Sequence, residues 1–179
     1  MAVGERLRRT YLVAFLTLVV AIVIPVIVRI ATHSESPEIE IILADGQQRA
    51  ISLLDMKRLP ALTRKGTYQN QFGNWRDEGV YTGVRLTGII GTDVDYEAIR
   101  VTASDGYEIE IERARVESID YPMVLSYAFD GVEVPTWEIG FRIVVLPEDG
   151  DVSNEEYGVD SAGSFWVQNV TKISLAQSP

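Results

Sequence analysis

The chain has 179 residues, a net charge of −10 and no cysteine, a length that suits one domain plus an attachment. Without cysteine there are no disulfides, thiolate metal ligands, iron–sulfur clusters or cysteine nucleophiles. The single histidine, His33, leaves nothing downstream for a His-based metal site or a His-activated hydroxyl.

Thr10 to Val28 forms a run without internal charge, closed by Arg29. About 20 apolar residues in a helix cross the hydrocarbon core of a bilayer, and a proline such as Pro25 is tolerated there. Arg6, Arg8 and Arg9 orient the N-terminus toward the cytoplasm. The run exceeds the apolar core of a cleavable signal peptide, and Arg29 to His33 is a poor cleavage site. The expectation is a cytoplasmic N-terminus over 1–9, a retained transmembrane signal anchor over 10–31, a linker over 32–37 and an extracytoplasmic domain over 38–179. The protein would sit in the cell membrane as a single-pass species. Residues 1–30 hold four Arg and one Glu, a net of +3, which leaves −13 for the rest. So acidic a domain does not bind nucleic acid by neutralising phosphates.

Glu38 to Leu43 alternates and then runs apolar, which predicts a strand. Asp45-Gly46 is a hairpin signal, with Gln48 to Ile51 returning. Ser52 with Asp55 three residues on opens a short helix, and Pro60 stops it. A strand over Leu62 to Asn70 leads into a stretch rich in amides, aromatics and glycines, KGTYQNQFGNWRDEGVYTGVRL from Lys65 to Leu86. Amides offer donors and acceptors without charge, and glycines let backbone turn or approach a ligand closely. Such a stretch reads as a pocket wall. The chain is expected to turn through Gly79, and Thr82 to Leu86 reads as a turn into a second helix, Leu86 to Ile90, ended by Gly91. Asp105-Gly106 joins strands Ile99 to Ala103 and Tyr107 to Ile111, and Asp130-Gly131 joins Met123 to Phe129 and Val132 to Val134. Phe141 to Leu146 is a buried strand, Pro147 to Gly163 an acidic loop, and Phe165 to Leu175 a closing strand. The sum is an α+β domain, mostly strand, with short helices.

The ordered motifs resemble the oxidoreductase molybdopterin-binding domain, the central domain of the sulfite oxidase family, from about Ile51 to Leu175. SLLDMKRLP (Ser52 to Pro60) resembles the family's short helix before its ligand strand. YTGVRLTGII (Tyr81 to Ile90) resembles its Trp/Tyr-Thr-Gly-Val-x-Leu signature. VTASDGYEIEI (Val101 to Ile111) resembles its Asp-Gly hairpin, and Val124 to Val134 its segment ending in Asn-Gly-x-x-Leu-Pro. GFRIVVLP (Gly140 to Pro147) resembles its arginine-bearing strand and SFWVQNVTKISL its closing strand. The resemblance implies the fold and, in active members, a molybdopterin held by a cysteine thiolate and by basic residues around its phosphate. Here Gly73-Asn74 matches the Gly-Asn after that cysteine, whose place falls on Gln71, or on Asn70 if the register slips. An amide oxygen is a hard, neutral donor and a poor substitute for a thiolate. No Lys or Arg occurs from Pro147 to Val170, where phosphate contacts are implied.

Asn70, Gln71, Asn74, Trp75, Arg76 and Tyr81 are the candidate pocket residues, suited to a neutral or weakly polar planar ligand. Asp149, Asp151, Ser153, Glu155 and Asp160 fall at the offsets of calcium-loop ligands. Asn154 stands where Gly is expected and Asp160 where a bidentate Glu is, so a solvated acidic loop is preferred over calcium. Trp75, Trp137 and Trp166 read as core or pocket-lining groups rather than a sugar platform. Arg142, inside an apolar strand, needs either a structural ion-pair partner, the preferred reading, or an anion in the pocket. The function expected is a non-catalytic ligand- or partner-binding domain without cofactor, accessory to a membrane redox complex. The alternative is an active molybdopterin oxidoreductase whose metal lacks a protein thiolate.

Overall fold

The alternation in Glu38-Ile39-Glu40-Ile41 puts two isoleucines on one face of a strand and two glutamates on the other. In the computed structural model, which describes residues 36–91 and 93–176, Ile39 and Ile41 are buried in β1 (Glu38–Ile42). Asp45-Gly46 turns the chain, with Gly46 at φ 82° and Asp45 Oδ1 accepting from Gln47 N at 3.0 Å. β2 (Gln48–Ser52) then pairs antiparallel with β1. The predicted anchor and its flanks, residues 1–35, lie outside the described residues. Among those described, no helix is long and apolar enough to cross a membrane.

Two sheets enclose the core. The first runs β2-β1-β11-β5-β6, with β5 (Ala98–Ala103), β6 (Glu108–Glu112) and β11 (Val170–Ala176). β11 lies between β1 and β5, parallel to the former through Ile41↔Ile173 and antiparallel to the latter through Ile173↔Val101. The second runs β10-β3-β4-β7-β8, with β3 (Ala61–Gln69), β4 (Trp75–Arg85), β7 (Met123–Phe129), β8 (Val132–Glu133) and β10 (Asp151–Val152). β9 (Arg142–Val145) pairs with the first half of β7 and is buried throughout. The inward isoleucines, valines and leucines join Tyr81, Trp137 and Trp166 in one cluster. Each fully buried aliphatic side chain contributes about 1.5–3 kcal/mol.

The helices are single turns. α1 (Leu53–Met56) opens with a reciprocal capping box between Ser52 and Asp55, as its spacing predicts. α2 (Leu86–Ile90) ends at Gly91, at φ 100°. α3 (Arg113–Val116) follows β6.

Three expectations are corrected. Thr82 to Arg85 is not a turn and Gly79 is not a bend, because β4 runs unbroken to Arg85. Its glycines answer to close packing: a Cβ on Gly79 would press into the Phe129 ring, and one on Gly83 into the Leu125 carbonyl of β7. The acidic stretch from Pro147 to Gly163 is not loop throughout, since it holds β10, α4 (Asn154–Tyr157) and the start of a 3-10 turn, Ala162–Phe165. Arg115 fastens it, donating to the Tyr157 carbonyl at 3.1 Å with its guanidinium over the Tyr157 and Phe165 rings. The closing strand starts only at Val170, because the 3-10 turn and an irregular run occupy Phe165 to Asn169.

Candidate functional site

The β3–β4 hairpin owes its tip to the amides in its sequence. Asn70 Oδ1 accepts from the backbone N of Phe72 at 2.9 Å and of Asn74 at 3.1 Å, and Gly73 N donates to the Asn70 carbonyl at 2.8 Å. Gly73 takes φ 74°, which a side chain would resist. A second amide holds the tip from outside. Asn154, first residue of α4, donates from Nδ2 to the Asn70 carbonyl at 2.8 Å and from its backbone N to Gln69 Oε1 at 3.0 Å. Its Oδ1 accepts from Ala162 N at 2.8 Å, so one side chain ties the hairpin tip to the 3-10 turn.

Between them lies a cleft of about 490 Å³, within the roughly 300–1,000 Å³ usual for small-ligand sites. Tyr68, Asn70 and Gln71 form one wall, and Asp105 and Tyr107 of the β5–β6 turn another. The floor and far side come from the segment 161–169. Tyr107 joins two walls by donating its hydroxyl to the Ser164 carbonyl at 3.3 Å, while Asp105 Oδ1 accepts from Tyr107 N at 2.9 Å. Tyr68 and Trp166 meet at 4.8 Å between ring centroids. Gly163 permits this wall, because a Cβ there would lie 2.5 Å from the Tyr68 ring.

Behind the aromatic wall sits Arg142, 1% exposed. Its Nη2 donates to Asp77 Oδ2 at 2.6 Å, and Nε has no partner among the described residues. The guanidinium carbon lies 5.4 Å from the Trp166 ring centroid and 5.9 Å from that of Tyr68. Asp77 holds left-handed backbone at φ 51°, with Tyr81 Oη donating to its carbonyl at 2.7 Å and Tyr68 Oη to its carboxylate at 3.3 Å. Burial raises the pKa of Tyr68 and of Tyr81, and the nearby Arg142 charge partly offsets this in both. The arginine therefore has the ion-pair partner that its place in an apolar strand requires.

The structure distributes the six candidate residues. Asn70 and Gln71 line the cleft. Asn74 closes the hairpin tip outside that lining. Trp75 begins β4 and is 47% exposed, neither core nor lining as the sequence implied. Arg76 is exposed, its carbonyl accepting from Thr67 Oγ1 at 2.8 Å. Tyr81 is fully buried, in edge contact with Trp166. The calcium candidates are spread over β10, α4 and the connections beside them, and Ser153 caps α4 by accepting from Glu156 N at 3.2 Å. Among the described residues no three carboxylate or imidazole groups gather as a metal-ligand cluster. Asp77, Asp105, Tyr107, Asn154 and Asn169 escaped the sequence. Asp105 reads locally as a turn residue, and only the fold carries it across to Gln71.

No family model and no curated protein matches the sequence. Among solved structures, the fold is similar to that of sulfane dehydrogenase SoxCD from Paracoccus pantotrophus, at 12% identity and a TM-score of 0.55. The match covers 79% of this chain and 38% of that one, so the chain spans well under half the length of that neighbour. The likeness is one of fold: a mostly stranded α+β domain similar to part of that dehydrogenase.

The residues present do not fit a molybdopterin. The chain has no thiolate to offer a metal. The cleft lining contains no Lys or Arg for a phosphate, and its one charged group is the Asp105 carboxylate. The buried guanidinium behind the wall is already committed to Asp77.

Proposed function

We propose that residues 38–179 form a non-catalytic, extracytoplasmic ligand-binding domain, held at the cell membrane by a helix over residues 10–31 and accessory to a membrane redox complex. The observation that carries this reading is the cleft between the β3–β4 tip, the β5–β6 turn and the segment 161–169. It combines amides, hydroxyls and aromatic rings with no cation. Such a lining favours a neutral ligand with a flat face, bound by hydrogen bonds and stacking. The anchor is supported by the uncharged run Thr10 to Val28 and the arginines before it. The oxidoreductase-like fold supports placing the domain beside redox partners, with the chemistry of the site itself argued from its own residues.

Metal analysis and pterin extraction of the purified full-length protein test the proposal. The expected result is neither molybdenum nor tungsten at any stoichiometric level. Either metal at one equivalent, with an extractable pterin, would overturn it in favour of an oxidoreductase that lacks a protein thiolate.

A further inference from the structure

We infer that the cleft binds a neutral glycan chain; the inference rests on the ligand-binding reading above. Three aromatics stand among the large apolar side chains exposed to water in the described residues: Phe72 at 77%, Trp75 at 47% and Tyr107 at 45%. Tyr107 lines the cleft itself, whereas Phe72 and Trp75 stand outside its lining, on the hairpin whose tip forms one wall. Phe72 and Trp75 are on the β3–β4 hairpin beside Gln71, and Tyr107 is on the β5–β6 turn opposite. Exposed rings cost apolar hydration, and their concentration at one place marks a contact surface.

The placement of the rings selects the ligand class. A single fused aromatic molecule is gripped on both faces within one narrow slot. Here the exposed rings are divided between the β3–β4 hairpin and the β5–β6 turn, so only an extended ligand, running from the cleft onto the hairpin tip, would meet both groups. Pyranose rings present C–H faces that pack on aromatic π-faces, one unit per side chain. The polar groups agree. Gln71, Gln168 and Asn169 make no side-chain hydrogen bond to another described residue, so each amide has an acceptor beside its donors for a pair of vicinal hydroxyls. Asn169 is held in place by its backbone, which donates to the Ile139 carbonyl at 3.0 Å and accepts from Ser104 N at 2.9 Å.

Charge narrows the class further. The lining has no cation, and the chain beyond residue 30 carries −13. Uronic, sulfated and phosphorylated sugars are therefore repelled. A quaternary ammonium ligand would need a cage of rings around one point, whereas Tyr107 is the only one of the three exposed rings in the lining and Trp166 in the wall is only 3% exposed.

The test uses the full-length protein in a non-glycosidic detergent, titrated calorimetrically up to several millimolar ligand. The probes are cellotetraose, N-acetylchitotetraose and maltotetraose, with tetragalacturonate, riboflavin and tetramethylammonium for comparison. Saturable binding of at least one neutral tetrasaccharide, with tetragalacturonate at least about tenfold weaker, is expected. Phe72→Ala and Tyr107→Ala should each weaken that binding about three- to tenfold. Phe72 is 77% exposed, so its variant keeps the test valid should Tyr107→Ala unfold. Binding of riboflavin or tetramethylammonium without any neutral glycan overturns the glycan assignment and leaves the ligand-binding proposal standing. No binding of any probe also overturns it. Molybdenum in the purified protein overturns both.

Discussion

Arg142 on β9 and Asp77 on β4 form an ion pair across the second sheet, with 2.6 Å between Nη2 and Oδ2 and side-chain exposures of 2% and 35%. The arginine is the largest fully buried side chain of the domain. Taking away one partner leaves a buried charge unmatched, at roughly 3–5 kcal/mol when both partners are buried. Asp77 is partly open to water, so Asp77→Ala should cost about 2–3 kcal/mol. Asp77→Asn, which keeps an acceptor and tolerates the left-handed backbone, should cost less. Denaturant unfolding of both variants reads the order, and an Asn variant as unstable as the Ala variant would show that charge, not geometry, dominates.

Asn154 joins the hairpin tip to the 3-10 turn through one side chain. Asn154→Asp removes the donor to the Asn70 carbonyl and sets a carboxylate against it. A loss of about 1–3 kcal/mol is expected. Hydrogen exchange at Phe72 and Asn74 should accelerate, while amides of β11 keep the protection left by global stability. Unchanged exchange at the tip would show that the Asn70 turn stands alone.

Gln71 is exposed and its side chain bonds to no other described residue. Gln71→Ala should therefore change stability by no more than about 0.5 kcal/mol. Gln71→Cys restores a thiolate but no phosphate contacts, so the variant should emerge without molybdenum when produced beside active cofactor synthesis. Cofactor uptake would show that the acidic surroundings matter less than the missing thiolate.

Alkaline pH should unfold the domain through its buried tyrosines. Burial pushes Tyr96 from 10.0 up to about 12, with Glu117 adding to the shift, and burial raises Tyr81 as well. The folded state thus holds protons that the unfolded chain releases near pH 10. Stability from this source is complete below pH 10.0 and is lost as pH rises toward about 12. Tyr96→Phe removes one such group and should flatten the fall in unfolding midpoint over that window.

The membrane topology is tested by adding protease outside intact cells. Digestion of the acidic domain is expected, with the N-terminal segment of the undigested protein retained. A mature chain starting just after Ala31 would defeat the anchor.

The sequence made the local devices of the fold legible: the Ile39/Ile41 alternation, the Ser52–Asp55 box and the Asp105-Gly106 turn. Each acts within a few residues. It misled at Gly79 and Gly83, which resemble bends but lie within β4. Their glycines answer to Phe129 and Leu125 about forty to fifty positions away, contacts no local pattern carries. Ser153 followed by Glu156 repeats the helix-start signal of Ser52 and Asp55, but the surrounding acids made it look like solvated loop. At the site, the amides of Asn70 and Gln71 were legible by composition. Asp105 and Tyr107 were not, because their place opposite Gln71 is a property of sheet order rather than of their neighbours.

The position of β11 between β1 and β5 has a bearing on biosynthesis. β1 and β2 leave the ribosome early, yet they connect to β5 and β6 only through Val170–Ala176. The first sheet therefore stays in two unjoined halves until that late segment emerges. A nascent chain thus presents no closed first sheet, and that sheet locks only after β11 has arrived.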